Sequence, residues 1–455
     1  MGEVAGLFNI GFTMNGLLPL EHKFGLIVLP VKIGLAYLVT TFILFLVWPI
    51  NWLIYDAESW IVIIGYVSLC FASLGLSFWF ASNLTPKYFA PSNWWKWIIP
   101  TGAIFAILLL FPQSYIYTDR WPWEVFEALS DQGKSYSTLQ EQLLLTEDDR
   151  LPVVIIRFFI APLIFAVLPL GVIKWNELTN QLRILVVLTA LSIVIFSILR
   201  GTDREFADLF IIICSSLLVV AGRRSVQSVN NKNYIRRYWK PALAVVVFIS
   251  LAGSLFIDRK SDRVGGYETR TAVCANESRV CADIDAPGIS WLPLSQRFGL
   301  SFFILSTTSG YYGLSLALEK DFEPTYFVGH SPASLAIYEL VSGDSQMATR
   351  TYTYRNAYDG WSEENYWSSL VTWIANDVGF AGAIFVLLLL GFGWGRSWIA
   401  ATKSDNDAAA ILFTQFMLMI FYLPANNQVF AAYEGYSIFF FWLFMWIWQP
   451  RLNKN

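Results

Sequence analysis

Long apolar runs separated by short polar connectors fill most of this 455-residue chain. An apolar helix of about 20 residues is long enough to cross the hydrocarbon core of a bilayer, which is ~30 Å thick. The runs therefore predict about ten transmembrane helices, and hence an all-α polytopic membrane protein. Their expected positions are about 24–50, 59–82, 97–116, 152–173, 182–200, 205–222, 240–257, 369–393, 407–424 and 432–449.

Two long polar segments interrupt this pattern, at 117–151 and 258–368. They predict an N-terminal transmembrane bundle (1–257) of about seven helices, a large loop (258–368) and a C-terminal group (369–455) of about three helices. The short apolar run 298–305 within the large loop predicts a re-entrant piece, because such backbone is tolerated where protein or a water-filled cavity covers it.

The basic residues of the short connectors predict the orientation of the chain. The connector from Arg223 to Lys240 is the most basic, and basic connectors usually stay in the cytoplasm. Alternation from this connector places both termini inside and both long segments outside. The other basic residues on the expected cytoplasmic side are Lys87, Lys96, Lys174, Arg183, Arg396, Lys403, Arg451 and Lys454. We therefore expect an N-in, C-in protein with one large extracytoplasmic loop.

The composition agrees with a membrane protein. Hydrophobic residues make up 56% of the chain and charged residues 14%, with a mean hydropathy of +0.50. Soluble domains carry about a quarter charged residues. The net charge is −3 and no basic run of the kind that binds nucleic acid is present, so a nucleic-acid partner is not expected. The partner that the composition does predict is the lipid bilayer.

The four cysteines fall into two kinds. Cys70 and Cys214 lie within apolar runs, where a thiol usually serves only as a packing group. Cys274 and Cys281 flank a short polar loop. They form a disulfide if that loop faces an oxidising compartment, or else they are two unpaired thiols.

Three arginines lie where the predicted helices reach the outer side. Arg157 is about one turn inside the fourth helix, Arg200 ends the fifth, and Arg204 follows in a tight turn. Ionisable groups at membrane depth are costly and often functional, and a guanidinium suits bidentate binding of phosphate or pyrophosphate. The alternative is that Arg157 snorkels and that the other two pair with nearby carboxylates. Those carboxylates are Asp203, Glu205 and Asp208.

The large loop combines arginines with aromatic residues. Its candidate pyrophosphate-binding residues are Arg297, Arg350 and Arg355. Its candidate glycan-binding rings are Tyr311, Tyr312, Tyr354 and Trp361. Aromatic faces suit sugars because a ring stacks on the C–H face while neighbouring polar groups bond the hydroxyls. An ordinary packed loop with solvated charges is the alternative.

His330 is the histidine that the predicted topology places outside, and an imidazole accepts a proton from a hydroxyl near neutral pH. It is therefore a candidate catalytic base, although a lone histidine is more often structural. Asp359 and Glu363 are competing catalytic carboxylates, and Asp377 lies at the outer end of the eighth predicted helix. The sequence does not choose among these bases.

The sequence contains little support for metal or nucleotide chemistry in the form of recognisable motifs. Asp283-Ile284-Asp285 has the D-x-D pattern of metal-dependent transferases, but the adjoining Pro and Gly indicate a turn. Walker A, H-E-x-x-H, G-x-S-x-G and paired CxxC patterns are absent from the sequence. No metal and no other cofactor is expected.

Several stretches, taken in chain order, resemble one family. They are Arg200 to Arg204, Tyr311 to Leu318, Phe322 to Ser331, and Asp359 to Gly382. They are similar to stretches of bacterial oligosaccharide-repeat-unit polymerases, which are O-antigen polymerase-like membrane proteins. His330 stands where the family pattern leads us to expect Asn or another small polar residue.

The resemblance implies a GT-C-type, metal-independent glycosyltransferase of the bacterial inner (cytoplasmic) membrane, with its active site facing the periplasm. The growing glycan would leave undecaprenyl pyrophosphate and join the non-reducing-end hydroxyl of the next lipid-linked repeat. It also implies that Arg200 and Arg204 hold the pyrophosphate, with Arg297, Arg350 and Arg355 as loop partners. The implied partners are the lipid-linked donor and acceptor, and a chain-length regulator protein.

Three alternatives remain open at this point. One is an O-antigen ligase, which passes glycan to lipid A core and is expected to have a histidine in its large loop. A second is a flippase or transporter of lipid-linked glycans, although charges at the outer edge are less typical of a transporter than charges at mid-bilayer. A third is a membrane assembly component without catalytic activity.

Overall fold

The computed structural model describes residues 27–54, 56–85, 93–145, 147–227, 271–275, 278–363 and 366–449, with the isolated residues 253, 256, 257 and 260. Several predictions lie outside these residues: most of the predicted helix at 240–257, the first 23 residues, Lys87, the C-terminal tail and most of the basic connector that begins at Arg223.

The described chain is predominantly helical and has one short hairpin. Its elements are α1 (Leu29–Val47), α2 (Ala57–Asn83), α3 (Trp95–Thr118), a 3-10 turn (Pro122–Glu124), α4 (Val125–Ser130), α5 (Gln132–Leu145), α6 (Glu147–Ile173), α7 (Asn180–Arg200), α8 (Arg204–Gln227), β1 (Ala272–Cys274), β2 (Cys281–Asp283), α9 (Leu294–Leu318), α10 (Pro332–Ser342), α11 (Gln346–Thr349), α12 (Tyr352–Arg355), a second 3-10 turn (Asn356–Asp359), α13 (Leu370–Lys403), α14 (Asp407–Tyr422) and α15 (Tyr433–Trp448).

Seven helices of the described chain are long and apolar enough to cross a membrane: α1, α2, α3, α6, α7, α8 and α13. This confirms a polytopic, all-α membrane protein. The apolar helix α14 and the helix α15 have 16 residues each, fewer than the ~20 that usually span the core. A total of ten transmembrane helices, and the sidedness, stay predictions.

Polar side chains fix several helix starts. The backbone N–H and the hydroxyl of Ser59 donate to the Asp56 carboxylate at the start of α2, and they hold the pKa of that carboxyl below its usual range. The Thr179 hydroxyl accepts from the Leu182 N–H at the start of α7. That helix ends at Gly201, whose φ of +62° forms a left-handed cap and turns the chain directly into α8. Arg200 and Arg204 are thus held on either side of one tight turn.

The helix ends fall on two opposite sides of the bundle. On one side, which we call the basic end, Arg223 pairs with Asp405 at 2.6 Å, and Lys174 lies 3.6 Å from Asp407. Arg396 of α13 donates there to the Ala81 carbonyl at the end of α2. The other side holds the starts of α2, α6, α8, α13 and α15. We call it the cavity end because a large cavity opens there. The predicted grouping of Lys174, Arg396 and Lys403 on one side therefore agrees with the helix directions.

The region 258–368, predicted as a loop, contains a long helix. α9 covers 25 residues, so the run 298–305 is not a short re-entrant piece but part of a continuous helix. α9 packs on α1, where the Tyr311 hydroxyl lies 3.2 Å from the Thr41 hydroxyl and Trp48 Nε1 donates to Ser301 at 3.1 Å. The prediction missed this helix because its Ser, Thr and Gly residues lower its hydropathy.

α13 is broken near its start. Gly379 has a φ of +67° and a ψ of 173°, which lies outside the helical region and suits glycine. The break frees carbonyl groups of the first turns, and the Thr325 hydroxyl donates to the Asn376 carbonyl at 2.7 Å. The side-chain oxygen of Asn376 accepts from the Tyr352 N–H at 2.8 Å. The region before α13 is therefore bonded directly to the first part of that helix.

A disulfide joins Cys274 to Cys281 across the antiparallel β1–β2 hairpin, so the sequence alternatives resolve in favour of a bridge. The hairpin is fixed to the connector between α1 and α2. The Asn51 N–H donates to the Cys281 carbonyl at 2.9 Å, and the Asp283 N–H donates to the Pro49 carbonyl at 2.9 Å. Asp283 and Asp285 belong to this structural attachment and its following turn.

Candidate functional site

A cavity of about 550 Å³ opens within the bundle at the cavity end. Six helices line it: α3, α6, α7, α8, α14 and α15, together with the connector 423–432 between the last two. The residues of the sequence analysis that it contains are Arg157, Arg200 and Arg204, and Arg150 joins them. The structure thus brings together the three arginines predicted at the outer rim.

The lining changes from mainly polar to mainly apolar along four of the six helices. On α6 it runs from Arg150 and Arg157 to Phe165 and Leu168, and on α8 from Arg204 to Ile212. α3 and α7 show the same change, although Ser192 of α7 and Gln415 of α14 add polar groups deeper in the cavity. The cavity therefore has one charged mouth and a largely apolar interior.

Carboxylates share this mouth with the arginines. The described lining residues include four arginines and three carboxylates, Glu205, Asp208 and Glu434, which leaves one net positive charge. Arg157 Nε lies 2.9 Å from Glu434 Oε1, and Arg200 Nη1 lies 2.5 Å from Glu205 Oε1. The alternative in which Arg200 pairs with a nearby carboxylate is therefore correct, whereas Arg157, which that alternative expected to snorkel, pairs with Glu434 instead. The cavity between the two pairs remains.

Arg200 also packs against aromatic rings. Its guanidinium carbon lies 5.8 Å from the ring centre of Tyr117 and 5.2 Å from that of Phe196. Such contacts hold the planar cation in one orientation. The Arg200 Nε atom is buried and has no hydrogen-bond partner within the described part of the chain. The rings and the Glu205 pair thus fix the guanidinium, while its buried Nε–H is out of reach of a ligand in the cavity.

Arg204 is held at two points. Its Nε lies 3.6 Å from Asp208 Oδ2, one helical turn further along α8. We assign the Gln428 amide so that its oxygen accepts hydrogen bonds from the same guanidinium. Gln428 lies in the connector before α15, so this connector reaches into the mouth of the cavity.

His330 lies in a second polar cluster, which holds both of its ring nitrogens. Nδ1 is 2.7 Å from Asp377 Oδ2, and Nε2 is 2.7 Å from the Tyr436 hydroxyl. Asp377 Oδ1 also accepts from the Gly329 N–H and the Thr325 hydroxyl, at 2.7 and 2.5 Å. The His330 side chain is 32% exposed, whereas that of Asp377 is 5% exposed, so the imidazole is accessible and the carboxylate behind it is not.

These contacts indicate the tautomer of the neutral imidazole. An ionised carboxylate only accepts hydrogen bonds, so Nδ1 carries the proton and donates to Asp377. Nε2 then has a free electron pair that accepts from the Tyr436 hydroxyl, and Tyr436 lies 2.6 Å from the Ser331 hydroxyl. A histidine oriented by a buried carboxylate in this way is arranged as a general base.

One connector contacts both the cavity and the histidine. Asn427 donates to the His330 carbonyl at 2.6 Å, whereas its neighbour Gln428 faces Arg204. At the start of α15, Glu434 pairs with Arg157 and Tyr436 contacts His330. Residues 427–436 therefore contact both polar clusters, whereas His330, Asp377 and Tyr436 themselves are not among the residues that line the cavity.

The loop arginines do not belong to this cavity in the described structure. Arg297 pairs with Asp285 at 2.9 Å, and Arg355 pairs with Glu323 at 3.0 Å. Arg350 lies at the end of α11 and is not among the lining residues either. We correct the expectation that these three complete the pyrophosphate site: two of them hold neighbouring loop segments together.

The expected glycan-binding rings are mostly core residues. Tyr311, Tyr312 and Trp361 are 1%, 3% and 1% exposed, because α9 is packed inside the bundle. Trp361 stacks on Tyr366 and meets Tyr312 edge-on. Buried rings leave no face for a sugar, so the structure contradicts a glycan-binding role for these three. Tyr354 is 38% exposed and remains available.

The other candidate catalytic carboxylates lie elsewhere. Asp359 forms an ion pair with Lys320 at the end of α9. Glu363 lies in the connector that leads to α13, and neither residue is among the groups that hold His330. Within the described ranges, no three His, Cys, Asp or Glu side chains gather where a metal ion would bind.

Sequence reasoning missed Glu434, Tyr436, Gln428 and the role of Asp377. A signal for two of them was present, because Glu434 and Asp377 are acidic residues at the outer ends of apolar runs. Their partners lie far away in sequence, so pairing required the fold. Comparison of the chain with protein-family models, with curated proteins and with solved structures finds no match.

Proposed function

We propose that this protein is a membrane glycosyltransferase that polymerises undecaprenyl-pyrophosphate-linked oligosaccharide repeats at the extracytoplasmic face of the bacterial cytoplasmic membrane. The observation that carries the proposal is the cavity with four arginines at its mouth and a largely apolar interior. A ligand that fits both ends is an amphiphile with a multiply charged anionic head and a hydrocarbon tail.

The donor pyrophosphate would lie among Arg157, Arg200 and Arg204. A guanidinium has more N–H donors than a single ion pair uses, so these arginines retain donors for an anion beside their carboxylate partners. When the glycosidic carbon departs, negative charge accumulates on the leaving pyrophosphate. Guanidiniums fixed in advance stabilise that charge more strongly in the transition state than in the ground state.

His330 would act on the acceptor. The acceptor hydroxyl oxygen attacks the anomeric carbon of the donor while the bond from that carbon to the pyrophosphate oxygen breaks. The pyrophosphate takes the bonding electron pair, and the hydroxyl proton passes to His330 Nε2. Asp377 then stabilises the imidazolium that forms. For this step the acceptor hydroxyl takes the place of the Tyr436 hydroxyl at Nε2.

The Cys274–Cys281 disulfide supports the location of the site. Disulfides persist in oxidising compartments, and the hairpin is attached to the connector between α1 and α2 at the cavity end. An extracytoplasmic cavity end is also what the basic residues at the opposite end favour.

The test is reconstitution. Full-length protein in nanodiscs, supplied with a defined lipid-linked repeat and with neither nucleotide sugar nor added metal, should yield a ladder of lengthened glycans. Arg200→Ala and Arg204→Ala variants that fold normally should lose the ladder. Products that stop at one repeat would remove the polymerase proposal, whereas full activity in both variants would remove Arg200 and Arg204 from the site.

An O-antigen ligase is the second candidate, favoured by the carboxylate-supported His330. The same donor cavity and base would serve, but the acceptor would be lipid A core. Supplying both acceptors in one reaction separates the candidates, because a ligase transfers glycan only to lipid A core and a polymerase extends the lipid-linked repeat.

A further inference from the structure

The chain makes an unusual turn just before His330. The Val328 N–H donates to the Thr325 carbonyl at 3.1 Å, which closes a β-turn around Tyr326 and Phe327. Both central residues have positive φ, +51° and +67°. Two positive φ values are the mark of a type I′ turn, whose central positions are dominated by Gly, Asn and Asp. Positive φ is sterically unfavourable for bulky residues, so the backbone is strained at both Tyr326 and Phe327.

The turn is firmly held on both sides. Thr325 is fully buried and donates to Asn376 and Asp377. Val328 packs on the small apolar cluster of Leu335, Met347 and Trp373. The two aromatic residues between these anchors point outward instead, with Tyr326 66% and Phe327 73% exposed.

The rings have no packing role in the described part of the chain. Neither ring stacks on another aromatic ring, and neither belongs to the buried clusters. Strained backbone that presents exposed side chains is characteristic of functional sites, because folding alone does not favour it. The strain here places two ring faces three and four residues before the imidazole.

We infer that Tyr326 and Phe327 form a stacking subsite for the sugar that bears the acceptor hydroxyl. The inference rests on the proposed function, since the acceptor hydroxyl must reach His330. Two exposed carboxylates precede the turn: Asp321 can accept hydrogen bonds from sugar hydroxyls, whereas Glu323 is already paired with Arg355 at 3.0 Å. The ligand class is a hydroxyl-rich glycan without acidic groups at this position.

The neighbouring carboxylates also argue against a membrane anchor. Insertion of the rings into the bilayer would bring Asp321 and Glu323 towards the hydrocarbon, which is unfavourable for ionised groups. The subsite replaces the buried rings Tyr311, Tyr312 and Trp361 as the place where aromatic faces meet sugar.

The test removes the rings without altering the turn. Asn tolerates positive φ, so Tyr326→Asn and Phe327→Asn keep the backbone conformation while deleting the ring faces. The acceptor probe is the repeat-unit oligosaccharide released from its lipid by mild acid, with lipid-linked repeat as donor. Each Asn variant should raise KM for the oligosaccharide about two- to tenfold, with kcat and donor KM unchanged.

Three control variants should behave as the unmodified protein. Tyr326→Phe and Phe327→Tyr keep a ring at each position, and Phe126→Asn deletes an exposed ring on α4.

If the unmodified protein lengthens glycans, two outcomes overturn the inference. One is an unchanged acceptor KM in the double Asn variant. The other is strong quenching by spin-labelled lipids of a fluorophore attached through Phe327→Cys, which would identify a membrane anchor. If the unmodified protein does not lengthen glycans at all, the proposed function fails, and saturation-transfer NMR with the released oligosaccharide then decides the subsite alone. Equal binding, or no binding, in both the unmodified protein and the double variant overturns it.

Discussion

Arg157 Nε and Glu434 Oε1 lie 2.9 Å apart and join α6 to the start of α15 across the mouth of the cavity. The pair is partly buried, with side chains 29% and 14% exposed. It closes one wall of the cavity and keeps a guanidinium at the place where an anionic head would bind. We expect both stability and the proposed activity to depend on this contact, and substitutions can separate the two effects.

Arg157→Gln should abolish most glycan lengthening and lower the melting temperature. It leaves Glu434 without its partner and removes the net positive charge of the described lining, and breaking a buried ion pair costs about 3–5 kcal/mol, less where the pair is partly exposed. The double variant Arg157→Gln/Glu434→Gln should regain stability but not activity. Thermal unfolding and the ladder assay measure the two effects. Recovery of activity in the double variant would mean that Arg157 only neutralises Glu434.

Arg200→Lys should reduce glycan lengthening by about tenfold or more, which corresponds to about 1.4 kcal/mol of transition-state stabilisation. Lysine keeps the charge but loses the planar fork and its fit between Tyr117 and Phe196. Arg183→Lys is the matched control, because Arg183 also lies over a ring, that of Trp175, but at the basic end. Initial rates for both variants give the comparison, and equal rates would argue against bidentate binding at Arg200.

Asp377→Asn should lower kcat by on the order of 10²–10⁴-fold, the usual contribution of a general base. The amide cannot stabilise an imidazolium, and it disturbs the tautomer that leaves the Nε2 electron pair free. Asp344→Asn serves as control, since Asp344 accepts from the Gln346 N–H and the Tyr338 hydroxyl near α11 and does not contact His330. If His330 acts through Asp377, then the variant that combines His330→Ala with Asp377→Asn should be no slower than His330→Ala alone. Multiplied losses would indicate separate roles.

Gly435→Ala should destabilise the protein by about 1–3 kcal/mol and reduce activity. A Cβ at this position would lie 1.5 Å from the Val429 carbonyl oxygen, so the connector must move. That connector holds Gln428 and Asn427, which contact Arg204 and His330. Gly65→Ala on α2 is the control, because a Cβ there meets nothing within 4 Å. Melting curves in detergent should shift downward for Gly435→Ala only.

Reduction of the Cys274–Cys281 bridge should lower stability by about 2–3 kcal/mol on the chain-entropy model for a short loop. In denatured protein isolated without reductant, a thiol-reactive polymer should label Cys70 and Cys214 alone, and reduction should expose two further thiols. The Cys274→Ser/Cys281→Ser variant should melt at the temperature of the reduced protein. Labelling of four thiols before reduction would place the hairpin in a reducing compartment.

The sequence allowed the transmembrane character and the gathering of Arg157, Arg200 and Arg204 to be predicted, because apolar runs and helix ends are local properties. It could not reveal that Glu434 closes the cavity or that Asp377 supports His330, since these partners meet only through tertiary structure. The prediction of glycan-binding rings was wrong for Tyr311 because a tyrosine in a polar segment is usually expected to be exposed. In the structure Tyr311 is buried against α1. The Tyr326–Phe327 turn had no sequence signal, as neither residue is typical of positive φ.

α13 is broken near its start, and its first turns complete their hydrogen bonds with residues that precede the helix in the chain. The Asn376 carbonyl and side chain, and the Asp377 carboxylate, take their hydrogen bonds from Thr325, Gly329 and Tyr352 rather than from the helix alone. During synthesis the segment with these three donors emerges first, and its native partners appear only when α13 follows. His330 and Asp377 therefore come together in a single late step of biogenesis, so a chain truncated before residue 370 should lack the polar cluster around His330 even if its first helices insert correctly.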